Sequence, residues 1–147
     1  HAAPRPPGEW QMSDLETLRG RLGLQLSDAT ADLWPEAALD ECLRLTLAGY
    51  NRGTGSGCSL GGLDGALTTT LPAGDWDLLL YGAAGLAALT QAVGRASQFS
   101  PDSGVAESLR VWAEGQLVRF QAGLGQVRLR GLQASPASPH SPWEWQE

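Results

Sequence analysis

The chain has no lysine, no isoleucine, one methionine, two cysteines and two histidines in 147 residues. Each shortage closes a route. Without lysine there can be no Schiff-base amine and no phosphate-loop lysine. The histidines, His1 and His140, lie in the terminal tails, so neither cysteine has a base near it in sequence. Cys42 and Cys58 are too few for a disulfide framework and lack metal-ligand spacing. They are expected as free thiols of a reducing compartment. The leading residues, HAAPRPPGEWQ, contain no apolar run of the kind a secretion signal carries. Positive charge is also scarce. Ten arginines form no dense basic run and the net charge is −6, which excludes a nucleic-acid grip built on clustered cations. The lack of Lys and Ile beside abundant Gly, Ala, Leu and Arg reads as coding bias in a GC-rich genome.

What remains is enough for one domain with a core, and too little for two. Residues 1–11 carry three prolines and read as an extended arm. Ser13-Asp14-Leu15-Glu16 is a capping box, and Leu15, Leu18 and Leu22 line a short helix that Gly23 should end. Asp32 and Trp34 precede Pro35, which suits a first helical position. From Pro35 to about Arg52, Leu39, Leu43, Leu47 and Tyr50 recur at helical spacing. GTGSGCSLGGLDG (53–65) reads as a long flexible loop, and ALTTTL (66–71) as a short strand or hairpin edge. After Pro72, Asp75 can cap a helix from about Trp76 to Ser97. In a last helix, about 102–128, Val105, Leu109, Trp112, Leu117, Phe120, Leu124 and Val127 fall near one face. The Pro/Ser-rich stretch 133–147 reads as a tail. The expectation is an all-α bundle of about four helices, residues 12–132, between two extended arms.

The residues that invite chemistry have structural readings beside them. The Gly-rich loop fails as a nucleotide cradle, since position 58 of Gly53-Thr54-Gly55 is Cys and no Gly-Lys pair exists. Asp75 and Asp77 could be an acid–base or metal pair, but they stand at a helix start, where carboxylates are favoured in any case. No catalytic, cofactor or metal residue is therefore assigned, and the chain is not expected to be an enzyme. Arg128 and Arg130 either complement a helix C-terminus or contact an acidic partner or DNA phosphate. Trp10, Trp143 and Trp145 sit in the arms, as anchors on another subunit or as parts of disordered segments. Trp34, Trp76 and Trp112 fall in helical registers and read as core.

Residues 78–94, LLLYGAAGLAALTQAVG, are seventeen residues without a formal charge, eight of them Ala or Gly. A membrane span wants about 20 strongly apolar residues. The length, the small residues, Thr90, Gln91 and the flanking Asp75, Asp77 and Arg95 argue for a water-soluble central helix instead. Apolar on every side, it should be buried on every side: by its own bundle on one side and by a neighbouring subunit on the other. Gly82 and Gly85 would admit the close approach of other backbones.

The N-terminal "DLETLRGRLGL", then "LWPEAALDECLRLTLAGYNR", the Gly-rich loop, "TTTLPAGDWDLLLYGAAGLAAL" and "WAEGQLVRFQAGLGQVRLRG" together resemble the head–tail connector (adaptor, or head-completion) proteins of long-tailed bacteriophages. The likeness spans about residues 12–132 and rests on element order, the Leu-Trp-Pro helix start and the Leu-Pro…Asp-Trp entry into an Ala-rich helix. It implies a non-enzymatic virion protein, assembled in the host cytoplasm and placed in the neck. Such a protein forms a ring of about twelve copies through two different surfaces per subunit. Its partners would be its own copies, the portal protein, and the tail or a tail-terminator or stopper protein. DNA would pass through the lumen without specific binding, no cofactor would be needed, and no membrane would be involved. The candidate contacts are then Trp10, Gly82, Gly85, Arg128, Arg130, Trp143 and Trp145. The alternatives are a non-viral helical interaction module that binds through Trp-tipped tails, and a small-ligand site between helices. Gly85→Leu is expected to overpack the central helix and to disrupt folding or assembly, read out by thermal denaturation and native mass.

Overall fold

A computed structural model describes residues 12–27, 34–96 and 103–134. The arm 1–11, Asp32, and the tail from 135 onward, with Trp10, Trp143 and Trp145, lie outside the described residues. The chain is an all-α bundle: α1 (Asp14–Gln25), α2 (Glu36–Thr54), a 3-10 turn (Ala73–Asp75), α3 (Trp76–Ala96) and α4 (Ser103–Ala134). Among the described residues there is no strand, and no helix is long and apolar enough to cross a membrane.

Helix α1 begins as the capping box requires. The Glu16 amide donates to Ser13 Oγ at 3.2 Å, satisfying one of the orphan donors at a helix start. It does not end at Gly23. That residue is buried, and the helix runs through it to Gln25. The left-handed residue that turns the chain is Ser27 (φ 59°). Helix α2 starts one residue later than Pro35, which serves instead as the cap residue, its carbonyl accepting from Ala38 and Leu39. The buried Trp34 donates Nε1–H to the Ala87 carbonyl at 3.2 Å, pinning the start of α2 on α3. Arg19 joins α1 to α2 through a two-pronged bond to Asp40 at 2.7 and 2.9 Å.

Residues 55–72 form neither a strand nor a hairpin ladder. Leu60, Leu63 and Leu71 are buried and tack the segment to the core. Side chains satisfy its backbone where a ladder would otherwise be needed. Asn51 brackets Cys58, accepting from its amide at 2.9 Å and donating to its carbonyl at 3.1 Å. The Thr70 hydroxyl accepts from the Ser59 amide, and that of Thr69 from the Gly61 amide, each at 2.8 Å. Thr69 also bonds Asp14 on α1. The threonines that suggest a strand are thus consumed as side-chain partners of backbone. Gly62 has φ +97° and a Cβ there would come within 2.8 Å of Ser13 Oγ, so glycine is required.

Helix α3 is the centre. It is flanked by α1, α2 and α4, and Leu79, Ala83, Ala84, Ala87 and Ala88 are at most 1% exposed. The neighbours that approach its glycines belong to the same chain. A Cβ on Gly82 would strike Thr46 of α2 and come within 3.0 Å of the Phe120 ring of α4. One on Gly85 would meet the Leu117 side chain at 2.7 Å and the Ala113 carbonyl at 3.1 Å. Both glycines are buried inside the subunit rather than presented to a neighbouring one. Within the subunit α4 covers much of α3, while Tyr81, Leu86 and Leu89 stay half-buried and Thr90 and Val93 are exposed.

Helix α4 is longer than its apolar pattern suggests, reaching Ala134. Its inner face carries Ala113, Gln116, Phe120 and Leu124, all buried. Gln116 is held by Gln25 of α1 at 3.2 Å. Val105 and Trp112, read from the sequence as inner-face and core, are 42% and 37% exposed. Trp34 is core as expected, and Trp76 packs against the core half-buried.

Two substitutions separate packing from propensity. Gly82→Ala should destabilise by about 1–3 kcal/mol through overpacking. Gly20→Ala, where nothing lies within 4 Å, should stabilise by up to about 1 kcal/mol. Urea midpoints at constant slope measure both.

Candidate functional site

The foot of the bundle, where the C-terminal ends of α2 and α4 meet the start of α3, gathers the polar chemistry of the interior. Asp75 is 6% exposed. It does not act as the expected N-terminal cap of α3. Its Oδ2 accepts from the Tyr50 hydroxyl at 2.8 Å and its Oδ1 from Arg130 Nη2 at 2.9 Å. A carboxylate removed from water needs partners for its oxygens, and these two come from α2 and α4. Burial, and then the bond to Asp75, push the Tyr50 phenol well above its ordinary value. The phenol therefore keeps its proton as the donor of this contact.

Arg128 acts on a different element from the one its position suggests. Its Nε donates to the Gly53 carbonyl in the last turn of α2, where orphan carbonyls and the negative end of the helix dipole favour a cation. Arg130 reaches the start of α3. Neither arginine terminates α4, which continues past them to Ala134. Two arginines spaced by two residues thus fasten one helix to two others. Spacing alone gives no sign of this, because the partners lie 75 and 55 residues away.

Beside this cluster lies an open groove of about 640 Å³. Tyr50, Gly53 and Thr54 of α2, Cys58 and Pro72 of the loop, and Val127, Arg128 and Leu132 of α4 line it. Its walls are mostly carbon, and its size suits a large side chain. Cys58 is a free thiol whose hydrogen-bond partner is Ser56 Oγ at 3.7 Å. Cys42 is also free, and burial raises its thiol pKa, so it is no poised thiolate. Among the described residues no cluster of three His, Cys, Asp or Glu side chains could hold a metal. The groove offers an apolar recess with an arginine at its rim. It has no nucleophile paired with a base.

The sequence-derived candidates therefore separate into groups. Arg128 and Arg130 come together at the foot. Gly82 and Gly85 lie in the core, on the packing surfaces of α3. Tyr50, Asp75 and Cys58 complete the foot and were not singled out as a site from sequence. Tyr50 on the apolar face of α2 reads as core until its hydroxyl is placed, and Asp75 reads as a cap or as half of an acid–base pair. No protein family, curated protein or solved structure matches the chain.

Tyr50→Phe should lower stability by about 1–3 kcal/mol, because one oxygen of a buried carboxylate loses its donor. The same bond sets a pH dependence. In the folded chain the phenol holds its proton above the ordinary value of 10.0 at which the unfolded chain releases it. The contribution is thus complete below pH 10.0 and is lost as pH rises toward the folded value. Urea titrations between pH 8 and pH 11 should show about this decline in the parent chain and a shallower one in Tyr50→Phe.

Proposed function

We propose that the chain is a structural subunit of a head–tail connector. In that role it forms a ring of about twelve copies between a viral portal and tail. The ring would extend the DNA channel and give the tail a docking surface, with the C-terminal segment reaching the portal. The observation that supports this most is the fastening of α4. Arg128 and Arg130 fasten the C-terminal part of α4 to the end of α2 and to Asp75 at the start of α3. A segment tipped by Trp143 and Trp145 can then anchor on a second surface while the bundle stays in the ring. The reading is also supported by the order of elements. A capped α1, a Trp-Pro start to α2, a long fastened loop and a Leu-Pro…Asp-Trp entry into an Ala-rich α3 follow the resemblance through residues 12–132.

Negative net charge suits a lumen through which DNA slides. The same clamp would serve a helical module that binds some other partner through its tail, and one experiment separates the two. The chain is mixed with a portal protein of a long-tailed bacteriophage, and the product is examined by electron microscopy and native mass. A ring of about twelve on the portal is expected, and removal of residues 135–147 should weaken its attachment at least about tenfold. A one-to-one complex with a non-portal partner and no ring would favour the alternative.

A further inference from the structure

Among the described residues, the outward face of α4 has no partner. Gly104, Ser108, Val111, Gly115, Val118, Ala122, Gly125 and Leu129 are all exposed and follow one another at alternating spacings of three and four. That is the period of a coiled-coil seam, and no residue in it is charged. Val111, Val118 and Leu129 are 56%, 67% and 48% exposed, unusual values for a row of branched apolar side chains. The seam glycines are not explained by the subunit's own packing: a Cβ on Gly104, Gly115 or Gly125 would meet nothing within 4 Å. Glycine within a helix carries a propensity cost, so three on one outward line call for a reason outside the bundle.

We infer that this face pairs antiparallel with the same face of a second copy, about a twofold axis beside residues 116 and 117. The seam is self-complementary in size. In this register Leu129 lies opposite Gly104 of the second copy, Gly125 opposite Ser108, Ala122 opposite Val111, and Val118 opposite Gly115. Each layer sets the larger of two side chains against the smaller, down to Ser108 against Gly125, and the twofold repeats each layer. Parallel pairing would stack Gly115 on Gly115 and Gly125 on Gly125, leaving gaps between crowded layers.

The flanks are complementary as well. Glu107 faces Arg128 of the second copy, Glu114 faces Gln121, and Trp112 faces Arg119, which already lies over Tyr81 at 5.6 Å. Register is protected. Slipping one copy by a heptad in one direction sets Arg119 against Arg119, and in the other Glu114 against Glu114. A twofold contact is isologous and a ring contact is not, so the pair is a form of the free subunit. It does not rest on the connector reading.

The test uses the full chain at about 50 μM in sedimentation and light scattering, a level at which a micromolar pair is populated. A dimer is expected. Val118→Glu and Gly115→Gln should each weaken it at least about tenfold while leaving helix content unchanged, since neither side chain is packed in the monomer. Mixing Val111→Cys with Ala122→Cys chains should give the mixed disulfide in preference to either symmetric one. A monomer, a dimer indifferent to both variants, a dominant Val111→Cys homodisulfide, or a ring as the smallest species would overturn the pairing. The ring result would meanwhile strengthen the connector reading, and the monomer result would leave it untouched.

Discussion

Helix α3 can be central only because its surface is built from small residues, and the rest of the bundle is arranged around that constraint. Gly82 receives Thr46 and Phe120, and Gly85 receives Leu117. The exchange is reciprocal. Gly123 of α4 receives Leu78 of α3, and a Cβ on Gly53 of α2 would come within 3.0 Å of Leu124 in the same sense. Bulky side chains therefore sit where the opposing helix has none, and the backbones come close enough for interior packing density. The glycines cost helix propensity, about 1 kcal/mol each. Burial of Leu78, Leu79, Leu80, Phe120 and Leu124 offsets it, at about 1.5–3 kcal/mol per fully buried side chain. Trp34 adds direction by tying the start of α2 to the Ala87 carbonyl.

With the axes set by packing, the foot of the bundle becomes polar by design of position. The close approach of α2 and α4 leaves Asp75 in a place water does not reach freely, and Tyr50 and Arg130 arrive from opposite sides. Such a cluster specifies an arrangement more than it stabilises one, since the desolvation of a buried carboxylate cancels much of the attraction. Its consequence is geometric. Arg128 and Arg130 hold the C-terminal part of α4 against α2 and Asp75, beside the groove.

Much of this was legible in the sequence where a local signal and a tertiary need agreed. Ser13 is a cap in both respects, Leu39, Leu43, Leu47 and Tyr50 face the core they predict, and the uncharged run is buried at Leu78–Leu80, Gly82–Gly85, Ala87, Ala88 and Ala92 but opens to solvent at Thr90 and Val93. The misreadings share a cause: a local rule was overruled by a contact far away in sequence. Gly23 reads as a stop but lies buried inside a helix. Asp75 reads as a cap but is claimed by residues 25 and 55 positions distant. Residues 66–71 read as a strand, but Thr69 and Thr70 spend their hydroxyls on loop backbone. Val105 and Trp112 were assigned to the inner face of α4 because that helix is apolar on two opposite sides. A single stripe drawn through both is ambiguous. Gly82 and Gly85 admit close approach of neighbouring side chains from α2 and α4, and sequence carries no mark that tells a neighbour in the chain from a neighbour in another.

The central claim is that α3 is the last element to open, because α1, α2 and α4 all pack on it and its segment from Leu79 to Ala88 holds the most buried residues of the bundle. Native-state amide hydrogen exchange addresses this residue by residue. Amides from Leu79 to Ala88 should exchange slowest, with a free energy equal to that of global unfolding from urea titration. Exchange of those amides through local opening, at a lower free energy than the amides of α1, would contradict it.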